Sequence, residues 1–285
     1  EEVKKIEQLV SINMEGTELD EVNNNAGIKP VKVSDDTYNI IKKGLEYSSL
    51  TNGSFDITIG PLVKLWSIGL PEAKVPTLDE IKGALKYINY KDVEINDSEK
   101  TVFLKKPGMI IDLGGIAKGY TADVIAQTLK DEDVEKAIID LGGNVYALGE
   151  KAENTLWRIG IQNPDQTRGE IVGSINVKDK SIVTSGIYER FIEQNGVKYH
   201  HILSPESGYP YDNEIAGVTI ISDKSIDGDA LSTSVFSMGV AKGLEFVNSL
   251  PDIEAIFITK DHKVYLTEGS QEIFKLTNDD FEIMN

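Results

Sequence analysis

An aspartate and a threonine with oxygen-donor side chains stand four positions apart near the start of a long apolar pattern. The pattern over 231–250 predicts a helix, and at 3.6 residues per turn Asp229 and Thr233 share one helical face. A carboxylate and a hydroxyl are hard oxygen donors, which suit Mg²⁺ better than a soft metal. The alternative is structural: Asp229 caps the helix and Thr233 bonds back to its own backbone.

The chain has only three histidines, and two of them are adjacent at the end of a predicted strand over 199–203. Side chains alternate along a strand, so at most one of His200 and His201 faces a given site. That residue is a candidate general base, because histidine titrates near neutrality. The alternative is a strand-end histidine that bonds to backbone. His262 lies in a predicted turn, and no metalloprotease spacing occurs, which argues against a zinc site.

The six residues Ile-Ile-Asp-Leu-Gly-Gly occur twice, at 110–115 and again at 138–143. Each copy predicts the buried end of a strand, followed by an aspartate and a glycine pair that allows a tight turn. A helical pattern separates the copies, and glycine loops that lead into helix N-termini are frequent phosphate sites. Two purely structural turns with buried aspartates are the alternative. The duplication favours a ligand site.

Periodicity and capping residues predict an α+β fold with a mixed, largely antiparallel sheet and flanking helices. Residues 13–33 are rich in Asn and Gly and predict a loop. Helices are predicted over 1–12, from Ser34 or Asp35 to 47, and over 77–87, where Thr77 and Glu80 match a capping box. Strands are predicted near 92–95, 101–104, 108–112, 157–161, 170–177, 181–184, 216–221, 255–258 and 264–267.

The composition restricts the class of partner. The 285 residues carry a formal charge of −18, which argues against binding nucleic acid or an anionic membrane surface. Cysteine is absent, so disulfides, thiolate nucleophiles and thiolate zinc sites are excluded. No run of 18 apolar residues and no Walker A sequence occurs. The chain starts in helical rhythm at Glu1, which is compatible with removal of upstream sequence.

A set of ordered segments covers nearly the whole chain. The segments are Asn25-Ala26-Gly27, Gly53-Ser54-Phe55-Asp56, Gly60-Pro61-Leu62, Asp112-Leu113-Gly114-Gly115-Ile116-Ala117-Lys118-Gly119-Tyr120, Asp140-Leu141-Gly142-Gly143-Asn144, Ser185-Gly186, Tyr188-Glu189-Arg190, His201-Ile202, Gly208-Tyr209-Pro210 and Asp229-Ala230-Leu231-Ser232-Thr233. Taken together, these segments resemble the ApbE family, the FAD:protein FMN transferases. The specificity of the resemblance comes from the order of the segments rather than from any single one.

The resemblance implies a single domain over 1–285 with a T-fold-like architecture. It also implies Mg²⁺-dependent transfer of FMN from FAD, through a phosphoester bond, to a Thr or Ser hydroxyl of an acceptor protein, with release of AMP. Asp229, Thr233 and the Gly115 carbonyl would bind Mg²⁺, and His201 would be the catalytic base. The implied FAD contacts are Asn13, Ser54, Phe55, Asp56, Asp112, Lys118 and Leu203.

The chain departs from the family pattern at several positions. Asn13 stands where many members have a Tyr near the flavin, and Ser204 stands where an Asp is common. The family's N-terminal strand region is absent from this sequence. Members are typically exported, which implies a location outside the cytoplasm, tethered to the outer face of the cell membrane through an upstream lipid anchor.

Three other functions compete with the transferase. An FAD pyrophosphatase would use the same site with water in place of the acceptor and would give FMN and AMP. A non-catalytic flavin-binding protein would bind FAD without Mg²⁺-dependent turnover. A sugar kinase is disfavoured, because its Asp-Leu-Gly-Gly turn normally opens a domain, whereas here the turn is duplicated in mid-chain.

Overall fold

The computed structural model describes residues 1–284 and contains eight α-helices. Local capping sets several helix starts: Thr17, Ser34 and Thr77 each accept a bond from a backbone N–H of the first turn. At Thr77 the Glu80 carboxylate completes the predicted capping box. The helices are α1 (Glu2–Val10), α2 (Glu18–Asn24), α3 (Asp35–Leu50), α4 (Gly60–Trp66), α5 (Leu78–Leu85), α6 (Ala117–Asp131), α7 (Ser225–Asn248) and α8 (Glu268–Ile273).

Within the same residues, fifteen strands form four sheets, and nearly all strand pairs are antiparallel. The strands are β1 (Val31–Lys32), β2 (Val93–Asn96), β3 (Thr101–Leu104), β4 (Ala137–Leu141), β5 (Asn144–Leu148), β6 (Trp157–Gln162), β7 (Ile171–Val177), β8 (Lys180–Gly186), β9 (Phe191–Gln194), β10 (Val197–His200), β11 (Ile215–Ser222), β12 (Glu254–Thr259), β13 (Lys263–Leu266), β14 (Phe274–Leu276) and β15 (Glu282–Met284). The α+β class with a largely antiparallel sheet is therefore confirmed.

The chain divides into two compact units. Unit 1 comprises residues 1–117 and 190–211, with helices α1–α5, the sheet β1-β3-β2 and the hairpin β9–β10. The Trp66 ring is fully buried, its Nε1–H donates to the Gly208 carbonyl, and Tyr199 and Tyr209 pack against it. This aromatic cluster joins helix α4 to the segment that follows the hairpin.

Unit 2 comprises residues 118–189 and those from 212 onwards, and it is built on a seven-stranded sheet of order β15-β13-β12-β11-β8-β5-β4. Every residue of the central strand β11 is buried, which is typical of a strand covered on both faces. Helices α6 and α7 pack on strands of this sheet, and a second apolar cluster joins it to the small sheet β14-β7-β6.

Several sequence predictions need correction. The predicted loop over 13–33 contains helix α2 and strand β1, and the predicted strand over 199–203 ends at His200. The segment predicted as a strand over 108–112 makes a single parallel bridge, between Ile110 and Ile59. Helix α7 begins at Ser225, six residues earlier than predicted, because its polar first turns hide the apolar period.

Candidate functional site

The Asp229 carboxylate is buried at the start of two helices. Its side chain lies in the second turn of α7, where only 3% of the residue is exposed. Oδ1 lies 3.1 Å from the Lys118 ammonium, and Oδ2 accepts a 2.9 Å bond from the Gly119 backbone N–H. Asp229 therefore satisfies a first-turn donor of α6 and does not occupy the N-cap of α7, so the alternative that Asp229 caps its own helix is wrong.

Thr233 follows Asp229 by one turn of α7, and its side chain is half-buried. Helix α7 is fixed to the sheet at this level by a 2.8 Å bond between the hydroxyls of Ser232 and Ser185 on β8. The prediction that Asp229 and Thr233 share a helical face is confirmed by the helix bounds. Their predicted role as Mg²⁺ ligands stays a prediction.

In unit 1, the loop that contains Ser54, Phe55 and Asp56 is held by the carboxylate of its own aspartate. Asp56 accepts bonds from the backbone and hydroxyl of Thr58, at 2.7 and 2.6 Å, and from the Tyr90 N–H at 3.0 Å. Burial raises the pKa of the Asp56 carboxyl, and these hydrogen bonds act in the opposite direction. Phe55 is buried, and the Ser54 carbonyl accepts a bond from the Tyr211 hydroxyl.

Asp112 lies beside this loop. Its backbone N–H donates to the Ile57 carbonyl at 2.8 Å, and its Oδ1 accepts a 2.6 Å bond from the Gly114 N–H. Burial raises the pKa of the Asp112 carboxyl, while the Gly114 bond and the charges of Lys64 and Arg190 counteract the increase. The structure thus brings the predicted FAD-binding segment at Ser54–Asp56 close to the one at Asp112. Gly115 lies two residues before Ala117, the first residue of α6.

The two histidines have different surroundings. His200 is buried; its Nδ1 accepts from the Ile202 N–H, so its Nε2 carries the proton and donates to the Tyr211 carbonyl at 2.8 Å. His201 is half-buried, and its Nδ1–H donates to the Arg190 carbonyl at 3.2 Å. That bond selects the neutral tautomer whose Nε2 lacks a proton, which is the form a general base requires.

Two predicted FAD contacts lie elsewhere in unit 1. Leu203 is buried in the apolar cluster around Trp66 and bridges to Pro210. Asn13 is exposed in the turn between α1 and α2, where its N–H donates to the Ser11 hydroxyl. The roles of Leu203 and Asn13 as FAD contacts stay predictions.

The two copies of the repeated hexapeptide adopt different structures. The first precedes helix α6, as predicted. In the second, Gly142 and Gly143 have φ values of 67° and 103° and form the two-residue turn of the β4–β5 hairpin. The predicted strand end with a tight glycine turn is therefore confirmed for the second copy, where no helix follows, and its Asp140 accepts a bond from the Gly143 N–H within the turn.

Residues 1–284 contain no group of three or more His, Asp or Glu side chains placed to hold a metal ion. Helices in this part of the chain also fall short of the length and apolar character needed to cross a membrane.

Comparison with known proteins identifies the family. The ApbE family model matches residues 1–257. The FAD:protein FMN transferase of Klebsiella pneumoniae (strain 342) is 39% identical over 283 residues, which are 99% of this chain and 88% of the relative. The FAD:protein FMN transferase of Treponema pallidum (strain Nichols) is 37% identical over 92% of this chain and 76% of its own.

Solved structures agree with the sequence comparison. The crystal structure of the ApbE protein from Thermotoga maritima superposes with a TM-score of 0.87 at 34% identity, covering 95% of this chain and 88% of its own. The flavin transferase ApbE from Vibrio cholerae gives a TM-score of 0.85 at 29% identity, covering 95% and 87%. The chain therefore belongs to the ApbE family.

Proposed function

We propose that this chain is an FAD:protein FMN transferase that requires Mg²⁺ and attaches FMN to a Thr or Ser hydroxyl of an acceptor protein. Its relatives at up to 39% identity are named FAD:protein FMN transferase, and the ordered family segments span the chain. The single structural observation that supports the proposal most is the buried Asp229 carboxylate, which already has a cationic neighbour.

The donor chemistry around Asp229 fits Mg²⁺. A carboxylate that is 3% exposed is costly to bury without a positive partner, and here the Lys118 ammonium supplies one at 3.1 Å. The ammonium marks a place where a cation is favoured, and the Lys118 side chain is 44% exposed, so it can leave. Asp229 and Thr233 would hold the ion, with the Gly115 carbonyl as the third ligand that the family resemblance assigns. Bound Mg²⁺ supplies charge neutralisation to a phosphate leaving group.

The family resemblance assigns the remaining roles, and the chemistry of the side chains agrees with them. Lys118, released from Asp229, would pair with a phosphate of FAD, while Asn13, Ser54, Phe55, Asp56, Asp112 and Leu203 are the proposed FAD contacts in unit 1. His201 would take the proton of the acceptor hydroxyl at Nε2, since Nδ1–H is held by the Arg190 carbonyl. The acceptor oxygen forms a bond to the phosphorus of the FMN half, the pyrophosphate P–O bond breaks, and AMP leaves.

An FAD pyrophosphatase is the second candidate. Asn13 is exposed and cannot stack on a flavin as the Tyr of many family members would. With water in place of the acceptor hydroxyl, the same bond cleavage gives free FMN and AMP. Export and lipid anchoring of the chain stay predictions.

A product analysis distinguishes the two candidates. The protein is incubated with FAD and MgCl₂, with and without a Thr-containing acceptor, and AMP and free FMN are measured by chromatography. A transferase releases AMP mainly when the acceptor is present. A pyrophosphatase releases FMN and AMP at the same rate whether or not the acceptor is present. Asp229→Ala should abolish both reactions while leaving a folded protein; turnover that persists in this variant would contradict the proposed metal site.

A further inference from the structure

Each of the helices α6 and α7 carries a carboxylate that accepts hydrogen bonds from backbone N–H groups in the first turn of the other. Asp123 of α6 accepts bonds from the backbone N–H groups of Ser225 and Ile226, the first residues of α7, at 2.7 and 2.9 Å. The residue at the N-cap position of α7, Lys224, makes no side-chain capping bond. The cap of α7 is therefore supplied by α6, from 102 positions earlier in the chain.

The reverse contact has the same form. Asp229 of α7 accepts the Gly119 N–H in the first turn of α6. In each helix the donor stands four residues before the acceptor, Gly119 before Asp123 and Ser225 before Asp229, so both lie on the face where the helices meet. A Cβ at Gly119 would lie 2.3 Å from the Ser225 carbonyl oxygen, which shows how closely the helices approach there.

We propose that Asp123 is a positioning residue for the cation site: by capping α7 from α6, it fixes the register in which Asp229 meets Gly119 and Lys118. The inference rests on the proposed function of Asp229 as an Mg²⁺ ligand. Without the Asp123 bonds, the N–H groups of Ser225 and Ile226 lose their carboxylate acceptor, and of the two carboxylate contacts described between the helices only that of Asp229 remains. The Lys118 contact of Asp229 must rearrange when a cation binds the carboxylate.

A matched control exists on the same helix. At the Gly239 kink in α7, the Glu214 carboxylate accepts a 2.7 Å bond from the Val240 N–H. Glu214 is thus also a carboxylate that caps a helical segment of α7, but it acts three turns beyond Asp229. Its removal should weaken the helix locally without altering the α6–α7 junction.

The test compares Asp123→Asn and Asp123→Ala with Glu214→Gln and Glu214→Ala. Calorimetric titration with MgCl₂ alone measures Mg²⁺ affinity, and AMP release at saturating FAD measures the half-saturating Mg²⁺ concentration. We expect the Asp123 variants to weaken Mg²⁺ binding by about 10–100-fold, the usual effect of removing a group that orients a metal ligand. The Glu214 variants should match wild type in both measurements.

Hydrogen exchange supplies a readout that is independent of activity. In the Asp123 variants, exchange at the amides of Gly119, Ser225 and Ile226 should accelerate more than exchange at strand β11, whereas a global loss of stability would accelerate both. Asp123→Asn keeps the side-chain volume and one acceptor oxygen, so it serves if Asp123→Ala fails to fold. Unchanged Mg²⁺ affinity in folded Asp123→Asn would overturn the inference. Lack of Mg²⁺ binding and Mg²⁺-dependent turnover in wild type would instead overturn the proposed function.

Discussion

Replacement of Gly119 by alanine tests the close approach of α6 and α7 most simply. The added Cβ would lie 2.3 Å from the Ser225 oxygen, 2.6 Å from its carbonyl carbon and 2.7 Å from the Ile226 Cα. All three atoms are backbone, so no side chain can rotate away. To reach an ordinary contact of about 3.4 Å, the two helices must separate locally by about 1 Å.

The expected cost combines two opposing effects. Overpacking of this kind costs about 1–3 kcal/mol, and contact with three backbone atoms places Gly119→Ala near the upper end. Alanine in a helix recovers about 1 kcal/mol relative to glycine. The net loss in the free energy of unfolding should therefore be about 2 kcal/mol. A shift of about 1 Å would also break the 2.9 Å bond from the Gly119 N–H to Asp229 and weaken Mg²⁺ binding.

Gly83→Ala is the matched control. Gly83 lies inside helix α5, and a Cβ there would meet nothing within 4 Å. This variant should gain about 0.5–1 kcal/mol, because alanine restricts the unfolded chain without a clash. Urea denaturation at fixed pH measures both differences. Equal stabilisation by Gly119→Ala and Gly83→Ala would refute the close α6–α7 contact.

Three further predictions concern charged and titrating groups. Burial raises the pKa of the Asp123 carboxyl to about 6 from an ordinary value of 3.8, with the charge of Asp227 adding to the increase and that of Lys224 opposing it. Between about pH 6 and pH 4 the folded state therefore holds a proton on Asp123 that the unfolded state has lost. As the pH falls from 7 to below 4, the free energy of unfolding of wild type should rise relative to that of Asp123→Asn by up to about 3 kcal/mol. Urea denaturation across that range measures the difference, and a difference that does not change with pH would contradict the burial argument. His201→Ala should lower the rate of FMN transfer by roughly 10²–10⁴-fold with FAD binding little changed. His200→Ala should lower the stability and leave the turnover of the folded protein unchanged. A larger loss of initial rate in His200→Ala than in His201→Ala would assign the base to His200. Lys118→Met should bind Mg²⁺ more tightly and FAD more weakly in calorimetric titrations, because it removes a competitor of the cation and a phosphate partner; unchanged FAD affinity would exclude Lys118 from the phosphate contact.

Features that depend on neighbouring residues could be predicted from the sequence. The Thr77–Glu80 capping box and the strands predicted over 255–258 and 264–267, which pair as β12 and β13, have signals that lie within a few residues. Periodicity and capping residues also predict the α+β class and the largely antiparallel sheet, although they place the ends of several elements incorrectly.

Features set by distant contacts could not be predicted. Helix α7 starts at Ser225, where Asp123 caps it from 102 positions away, and its own N-cap residue, Lys224, makes no side-chain capping bond. The repeated hexapeptide shows the same limit: identical residues form a helix approach at Gly114-Gly115 and a hairpin turn at Gly142-Gly143. The four-residue spacing from Thr233 predicts Asp229 as a metal ligand, but the contact of Asp229 with Gly119 joins residues 110 positions apart and has no local signal.

The central claim is tested most directly by intact-mass spectrometry of an acceptor protein incubated with this chain and FAD. With Mg²⁺ present, the acceptor should gain the mass of one FMN group, with one AMP released for each FMN attached, and the gain should disappear with EDTA or in Asp229→Ala. Release of AMP and free FMN without any mass gain on the acceptor would contradict the transferase.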